Sequence, residues 1–270
     1  MHLTQLLMIS QSRLIKIVAG VLSLLCVVGC DFAKMKKCPS YVATYIDIQG
    51  LKLETTSDKM SVEVNPSQGF SNEYDFLAED SKFAYKYESL CRKHNDLSYN
   101  QKISVINGYD FTAQTFLSED FDSIKVTSDK DYDEKHPAGE SLNDLCRFVA
   151  FSPFKFISSG YKDYYNYSKD NVSKTLAKLA GYLGISEGQK LTCHPIDKML
   201  SDVTAKDLIL LGYDNPYPLF RLHFESKPVV SGEHQITVEV CTDEGKIYTH
   251  YEFCGGQLIV CQLIKQVPCV

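Results

Sequence analysis

The stretch Gln235-Ile-Thr-Val-Glu-Val-Cys-Thr-Asp-Glu-Gly245-Lys-Ile-Tyr-Thr-His-Tyr-Glu-Phe-Cys254 carries the clearest fold signal in the chain. β-Branched and aromatic residues alternate with polar ones on both sides of Asp243-Glu244-Gly245, the pattern of two half-buried strands around a tight turn. A two-residue loop at Glu244-Gly245 sets Ile236 opposite Phe253, Val238 opposite Tyr251 and Val240 opposite Thr249. A three-residue loop sets Ile236 against Glu252 and Val238 against His250. One face of the pair has to be buried, and that favours the first register. Gly255-Gly256 then turns the chain into a third strand over 257–264, with Phe253 against Leu258 and Tyr251 against Val260. The expected unit is a three-stranded meander.

Outward from this hairpin, further short β-type runs fall at 41–48, 51–55, 61–64, 83–87, 102–106 and 123–127. They are rich in Val, Ile, Thr and aromatics, and Gly, Asn, Asp or Pro clusters separate them. Strands at this spacing without intervening helices point to an antiparallel sheet packing rather than a parallel one. The helical exception lies after Tyr161. Ser168 or Asp170 is placed to cap a helix carrying Val172, Leu176, Leu179, Tyr182 and Leu183 on one face, and Gly184 ends it. A weaker helical pattern spans 196–203, and Ser141, Leu142 and Leu145 suggest one further turn. The expected class is mainly β: an antiparallel β-sandwich, Ig-like in broad architecture, occupying 41–270 as a single domain with a helical insert at about 161–203.

The 270 residues include 28 Lys+Arg against 34 Asp+Glu, a formal charge of −6. The acidic balance argues against a nucleic-acid partner, which selects for a basic field. At the N-terminus, Arg13 and Lys16 precede an apolar stretch over 17–28. At ~1.5 Å per helical residue that stretch is about 18 Å long, short of the ~30 Å hydrocarbon core, and it reads as a signal peptide over 1–29. Met8 is an alternative start to Met1. The stretch closes on Val27-Val28-Gly29-Cys30, which resembles a bacterial lipobox. The resemblance implies diacylglycerol on the Cys30 thiol, cleavage before it, and a tether over 30–40 joining the fatty-acylated residue to the folded body. Two or three acyl chains hold a protein on a membrane far better than one. The expected location is therefore the cell envelope, anchored to a bacterial membrane by lipid, with the periplasmic and surface faces both open.

Cys26 leaves with the signal, and eight cysteines remain: Cys38, Cys91, Cys146, Cys193, Cys241, Cys254, Cys261 and Cys269. An even number in an exported chain favours disulfides, of unspecified pairing, over buried thiols. No closely spaced cysteine pair of the zinc-binding kind occurs. No metal or cofactor is expected.

The run Phe121-Asp-Ser-Ile-Lys-Val-Thr-Ser-Asp-Lys-Asp-Tyr-Asp133, continuing through His136-Pro-Ala-Gly-Glu-Ser-Leu-Asn-Asp-Leu145, is similar to lipoproteins of gut Bacteroidota grouped under a domain of unknown function. The later stretch containing Gly232-Glu-His-Gln-Ile-Thr-Val238 is similar to the strand that closes those domains. The resemblance implies an exported β-sandwich-like module and assigns no activity, so it carries no catalytic residues.

Three other features invite chemistry. Asp129, Asp131, Asp133 and Glu140 stand at positions 1, 3, 5 and 12 of an EF-hand-like loop, a spacing suited to Ca²⁺, although Glu134 occupies the position where the loop needs Gly. Tyr161, Tyr164, Tyr165 and Tyr167 form a dense aromatic group: a binding patch if exposed, packing if buried. Cys193-His194-Pro195 brings a thiol and an imidazole together in sequence, a structural corner more than a catalytic dyad. No nucleophile elbow, P-loop or dinucleotide fingerprint occurs. The leading expectation is a non-enzymatic lipoprotein used for binding or envelope structure, with a protein or glycan partner. The alternatives are a glycan-binding lipoprotein, or a secreted hydrolase or thiol enzyme with a site assembled from distant residues.

Overall fold

Along residues 234–242 every second side chain is buried: His234, Ile236, Val238, Val240 and Thr242. This is the period of a strand with one face on a core. The computed structural model describes residues 34–57, 59–67, 70–106, 109–110, 114–213, 218–229 and 234–254. In chain order its strands are β1 (Lys34–Cys38), β2 (Val42–Ile48), β3 (Leu51–Thr55), β4 (Ser61–Pro66), β5 (Phe70–Asp75), β6 (Gln101–Ile106), β7 (Tyr109–Asp110), β8 (Gln114–Leu117), β9 (Phe121–Ser128), β10 (Cys146–Ser152), β11 (Tyr165–Asn166), β12 (Lys190–Leu191), β13 (His194–Met199), β14 (Phe220–Phe224), β15 (His234–Thr242) and β16 (Ile247–Cys254). The helices are α1 (Ser81–Lys93), α2 (Phe154–Ser158) and α3 (Lys174–Tyr182). The protein is mainly β, with several antiparallel sheets and a small helical insert.

The chain divides into two compact units. The smaller contains the described residues 34–36, 102–106 and 109–110, within a three-stranded sheet ordered β1-β6-β7. The expected tether thus includes a strand at Lys34–Cys38. Residues 1–33, with the expected signal peptide and Cys30, lie outside the described residues.

In the larger unit, an antiparallel five-stranded sheet ordered β13-β10-β14-β4-β3 and a three-stranded sheet ordered β16-β15-β9 share one core. Phe148, Phe220, Leu222, Val62 and Val64 come from the first; Ile124, Val126, Ile236, Val238 and Val240 come from the second. Edge-to-face packing of Phe121 on Phe220, centroids 6.4 Å apart, links β9 to β14. The other side of β10 faces a second core, in which Val149 and Phe151 meet Phe156 and Ile157 of α2 and Leu176, Leu179 and Ala180 of α3. Tyr45 and Phe116 of a third sheet (β5-β2-β8) and Tyr87 and Leu90 of α1 belong to the same core. β10 is therefore covered on both sides, which is why its sequence is a near-continuous apolar run. In that third sheet β2 pairs antiparallel with β5 but parallel with β8.

Several expectations need correction. The hairpin adopts the other register: Ile236 faces Glu252, Val238 faces His250 and Val240 faces Tyr248. Gly245, at φ +78°, closes a three-residue loop with its N–H on the Thr242 carbonyl, and the Lys246 carbonyl accepts from Thr242 N–H at 2.8 Å. Turn chemistry, a glycine in the left-handed region after a tight turn, sets the pairing. The third meander strand, 257–264, lies outside the described residues; the third strand of that sheet is β9, against β15.

Residues 83–87 lie in α1, not in a strand. Phe83, Tyr87, Leu90, Cys91 and His94 recur at helical spacing, and Asp80 caps the first turn by accepting from Lys82 N–H at 2.7 Å. The aromatic content that suggests a strand at Phe83, Tyr85 and Tyr87 leaves Tyr85 on the solvent side. Helix α3 begins later than either expected cap: Ser173 accepts from Leu176 N–H at 3.1 Å, while Gly184 at φ +73° ends it as expected. The segment 196–203 is extended through Met199 and then forms a short 3-10 turn, Leu200–Asp202, because β13 pairs along the edge of β10.

Candidate functional site

Cross-strand partners share a face of a sheet. In the five-stranded sheet Arg147 pairs with His223 and His223 with Ser61, while Val149 pairs with Arg221 and Arg221 with Glu63. One face of these central strands therefore carries a polar band, although the opposite face is the apolar core. The guanidinium of Arg147 donates to Glu225 at 2.7 Å and to Asp197 at 3.1 Å. These contacts, that with Glu225 first, hold the Arg147 pKa above its ordinary value despite partial burial. His223 Nδ1 and Ser61 Oγ lie 2.9 Å apart, and Arg221 pairs with Glu63.

The segment leading into α3 covers one end of this band and leaves a cleft of about 630 Å³, lined by Arg147, Asp197, His223 and Glu225 from the sheet side and by residues 170–175. Asp197 Oδ2 accepts the Ser173 N–H at 2.6 Å. The positive end of α3 is thus already satisfied by a carboxylate of the chain itself. Lys174, Asp170 and Asn171 are exposed at the rim. The lining offers charged donors and acceptors together and no activated nucleophile: Ser173 is engaged as the helix cap. Its chemistry is that of a site for a hydrophilic ligand. The signal that could have found it is a charged residue inside an apolar strand, Arg147 in Cys-Arg-Phe-Val-Ala-Phe and Arg221 in Phe-Arg-Leu-His-Phe. A buried charge persists only when paired.

The residues singled out from the sequence lie elsewhere. Tyr161, Tyr164, Tyr165 and Tyr167 do not form an exposed patch. Tyr167 is fully buried, and Tyr161 donates to Asp96 at 2.9 Å and packs on Tyr99 and Phe156. Tyr165 is half-buried beside His194. Tyr164 alone reaches the exposed class, with Lys190 3.8 Å over its ring. Spacing of three and four residues serves packing here.

Asp129, Asp131 and Asp133 of the calcium-like loop are engaged by the chain's own donors. Asp129 accepts from Gln235 N–H at 2.7 Å and Asp131 from Ala138 N–H at 2.8 Å. Asp133 accepts from Lys135 N–H and from the His136 ring, at 2.8 and 2.7 Å, and Glu140 is exposed. Among the described residues no group of three or more His, Cys, Asp or Glu side chains is arranged to hold a metal. His136 bridges Asp133 and Asp144. The hydrogen bond that its ring donates to Asp133 chiefly raises its pKa, against the opposing effect of burial.

Of the eight cysteines expected in disulfides, Cys38, Cys91, Cys146 and Cys193 are buried thiols, whereas Cys241 is disulfide-bonded. Cys146 belongs to the sandwich core whereas Cys91 and Cys193 belong to the other, so the strand packing keeps Cys146 away from them. Cys241 is half-buried on β15, Cys254 ends β16, and Cys261 and Cys269 lie outside the described residues. The Cys193 thiol lies 4.0 Å from Tyr41 OH, and His194 Nε2 donates to the Asp163 carbonyl at 2.7 Å.

A buried polar chain lies beneath α1. Tyr45 OH contacts His94 Nδ1 at 3.1 Å, and His94 Nε2 contacts Asp120 Oδ2 at 2.9 Å. Lys93 joins Asp120 and Asp243, each at 2.7 Å. Tyr45, His94 and Asp120 sit in the packed interior, Lys93 and Asp243 lie at its exposed edge, and together they tie α1 to the β8–β9 connection and the hairpin turn. Among the described residues no helix is long and apolar enough to cross a membrane. No family model matches this chain, and no curated protein or solved structure shows significant similarity to it.

Proposed function

We propose that the protein is an exported lipoprotein, anchored to a bacterial membrane through Cys30, whose β-sandwich body serves binding or envelope structure rather than catalysis. The observation that carries this is the N-terminal order of charge, short apolar run and Val27-Val28-Gly29-Cys30. The likeness of residues 121–145 to exported lipoproteins of gut Bacteroidota points the same way. For the body, support comes from the polar groups themselves: the carboxylates at 129, 131 and 133 and His194 are engaged with backbone or neighbouring side chains. A hydrophilic protein or glycan partner is assigned to the cleft at Arg147, His223 and Lys174, in place of the tyrosine group.

The test is mass spectrometry of the native protein's first peptide, with labelled palmitate as tracer. A diacylated Cys30 at the amino terminus is expected, and a Cys30→Ser variant should lose both label and membrane association. An intact, unmodified terminus at Met1 or Met8 overturns the proposal.

A further inference from the structure

Two of the buried thiols share one small polar nest. The Cys38 Sγ lies 3.4 Å from Ser40 Oγ and 3.4 Å from Tyr87 OH. Ser40 Oγ and Tyr87 OH are in contact with each other, and each lies within hydrogen-bond distance of the Val42 carbonyl, at 2.9 and 3.0 Å. Cys91 stands one helical turn after Tyr87, on the buried face of α1, and its thiol interacts with the same Ser40 and Tyr87 and with Cys38. Both cysteines are almost fully buried, at 0% and 2% exposure. Nothing in a reduced fold requires two thiols 53 residues apart in sequence to converge on one pair of hydroxyls.

We propose that Cys38 and Cys91 form a disulfide when the chain folds in an oxidising compartment, fastening the segment after the lipid-bearing Cys30 to helix α1. This rests on the export reading, because disulfides persist outside the reducing cytosol. The oxidant is a protein or low-molecular-weight disulfide. The thiolate of one cysteine attacks it, giving a mixed disulfide and releasing one thiol. The second cysteine attacks the mixed disulfide and releases the other thiol. Two cysteine thiols are oxidised to one disulfide, one disulfide is reduced to two thiols, and the two protons pass to the released thiols.

Timing follows from burial. Desolvation is the largest influence on Cys91 and pushes its thiol up to about 11, so thiolate is scarce once the core has closed. The bond is made while α1 is docking, not afterwards.

The experiment refolds the full chain from denaturant in a glutathione and glutathione-disulfide buffer, quenches with an alkylating agent, and maps tryptic peptides. Cleavage after Lys37, Lys52, Lys86 and Arg92 isolates peptides 38–52 and 87–92. The expected result is one cross-linked species joining them, 2 mass units lighter than the two thiol peptides, which reduction separates. The same buffer added to folded, reduced protein should form it at least tenfold more slowly. Recovery of Cys38 and Cys91 both alkylated after refolding, or either one linked to a third cysteine, overturns the proposal. Refolding in vitro requires no export, so an unmodified amino terminus in cells refutes the export reading separately.

Discussion

Asp120 is the most demanding position to perturb, because its carboxylate is buried and fully employed. Oδ1 accepts from Leu210 N–H at 3.0 Å, and Oδ2 meets His94 Nε2 at 2.9 Å and Lys93 Nζ at 2.7 Å. Burial alone would raise its pKa. The contact with His94, followed by that with Lys93, more than reverses this and brings it from 3.8 to about 2. A depression of that size corresponds to about 2 kcal/mol of stability. The sign follows from the lowered folded value: the contribution is present above pH 3.8 and is lost as pH falls through 2. Roughly half is gone by pH 3.

Asp120→Asn keeps the shape and the acceptor for Leu210 but turns an amide donor toward two donors. Leaving a buried charge partner unpaired costs about 3–5 kcal/mol. Lys93 is one-third exposed and keeps Asp243 at 2.7 Å, which brings the expectation down to about 2–3 kcal/mol. Urea unfolding at pH 7 should then show a midpoint about 1 M lower than that of the parent protein. At pH 2.5 the gap should shrink markedly, since the parent has lost most of the same contribution. Equal midpoints at pH 7, or a gap undiminished by acid, would refute the assignment of Asp120 as an ionised keystone of this network.

Two other expectations concern the sandwich and its loop. Phe220→Ala empties the centre of the sandwich core between Phe121 and Phe148, should cost about 3–5 kcal/mol, and should lower the thermal midpoint by roughly 10 °C; a change within 2 °C would contradict the packing described. His136, with its pKa raised by Asp133 and Asp144, contributes stability fully below its ordinary value of 6.5 and loses it as pH rises through the folded value. An NMR titration should place that midpoint above 6.5, and Asp133→Asn should move it down; an unmoved midpoint would sink the ion-pair account.

The hairpin shows where local reading succeeds and where it stops. Its alternation named both strands, because a period of two is imposed by the backbone. Its register went to the alternative, because a glycine at positive φ is worth more to a tight loop than the apolar matches counted across the strands. α1 was hidden for a related reason. Phe83, Tyr85 and Tyr87 carry strand propensity, yet the buried set continuing to Leu90, Cys91 and His94 is helical, and only packing against β2 reveals which pattern is used.

The sequence by itself determined the mainly β class, the strands at β2, β3, β4, β9 and β15, and the helix around Leu176, since each rests on neighbours a few residues away. Only the tertiary structure decided the candidate site. Arg147, His223 and Glu225 meet Asp197 and the start of α3 through cross-strand pairs far apart in the chain. Likewise Cys38 and Cys91 reach the same Ser40 and Tyr87 hydroxyls, and Asp129, Asp131 and Asp133 turn from a metal-like spacing into acceptors for backbone N–H groups. Spacing along a chain encodes local geometry, whereas a site is a matter of which distant carboxylates and cations folding brings within about 3 Å of one another.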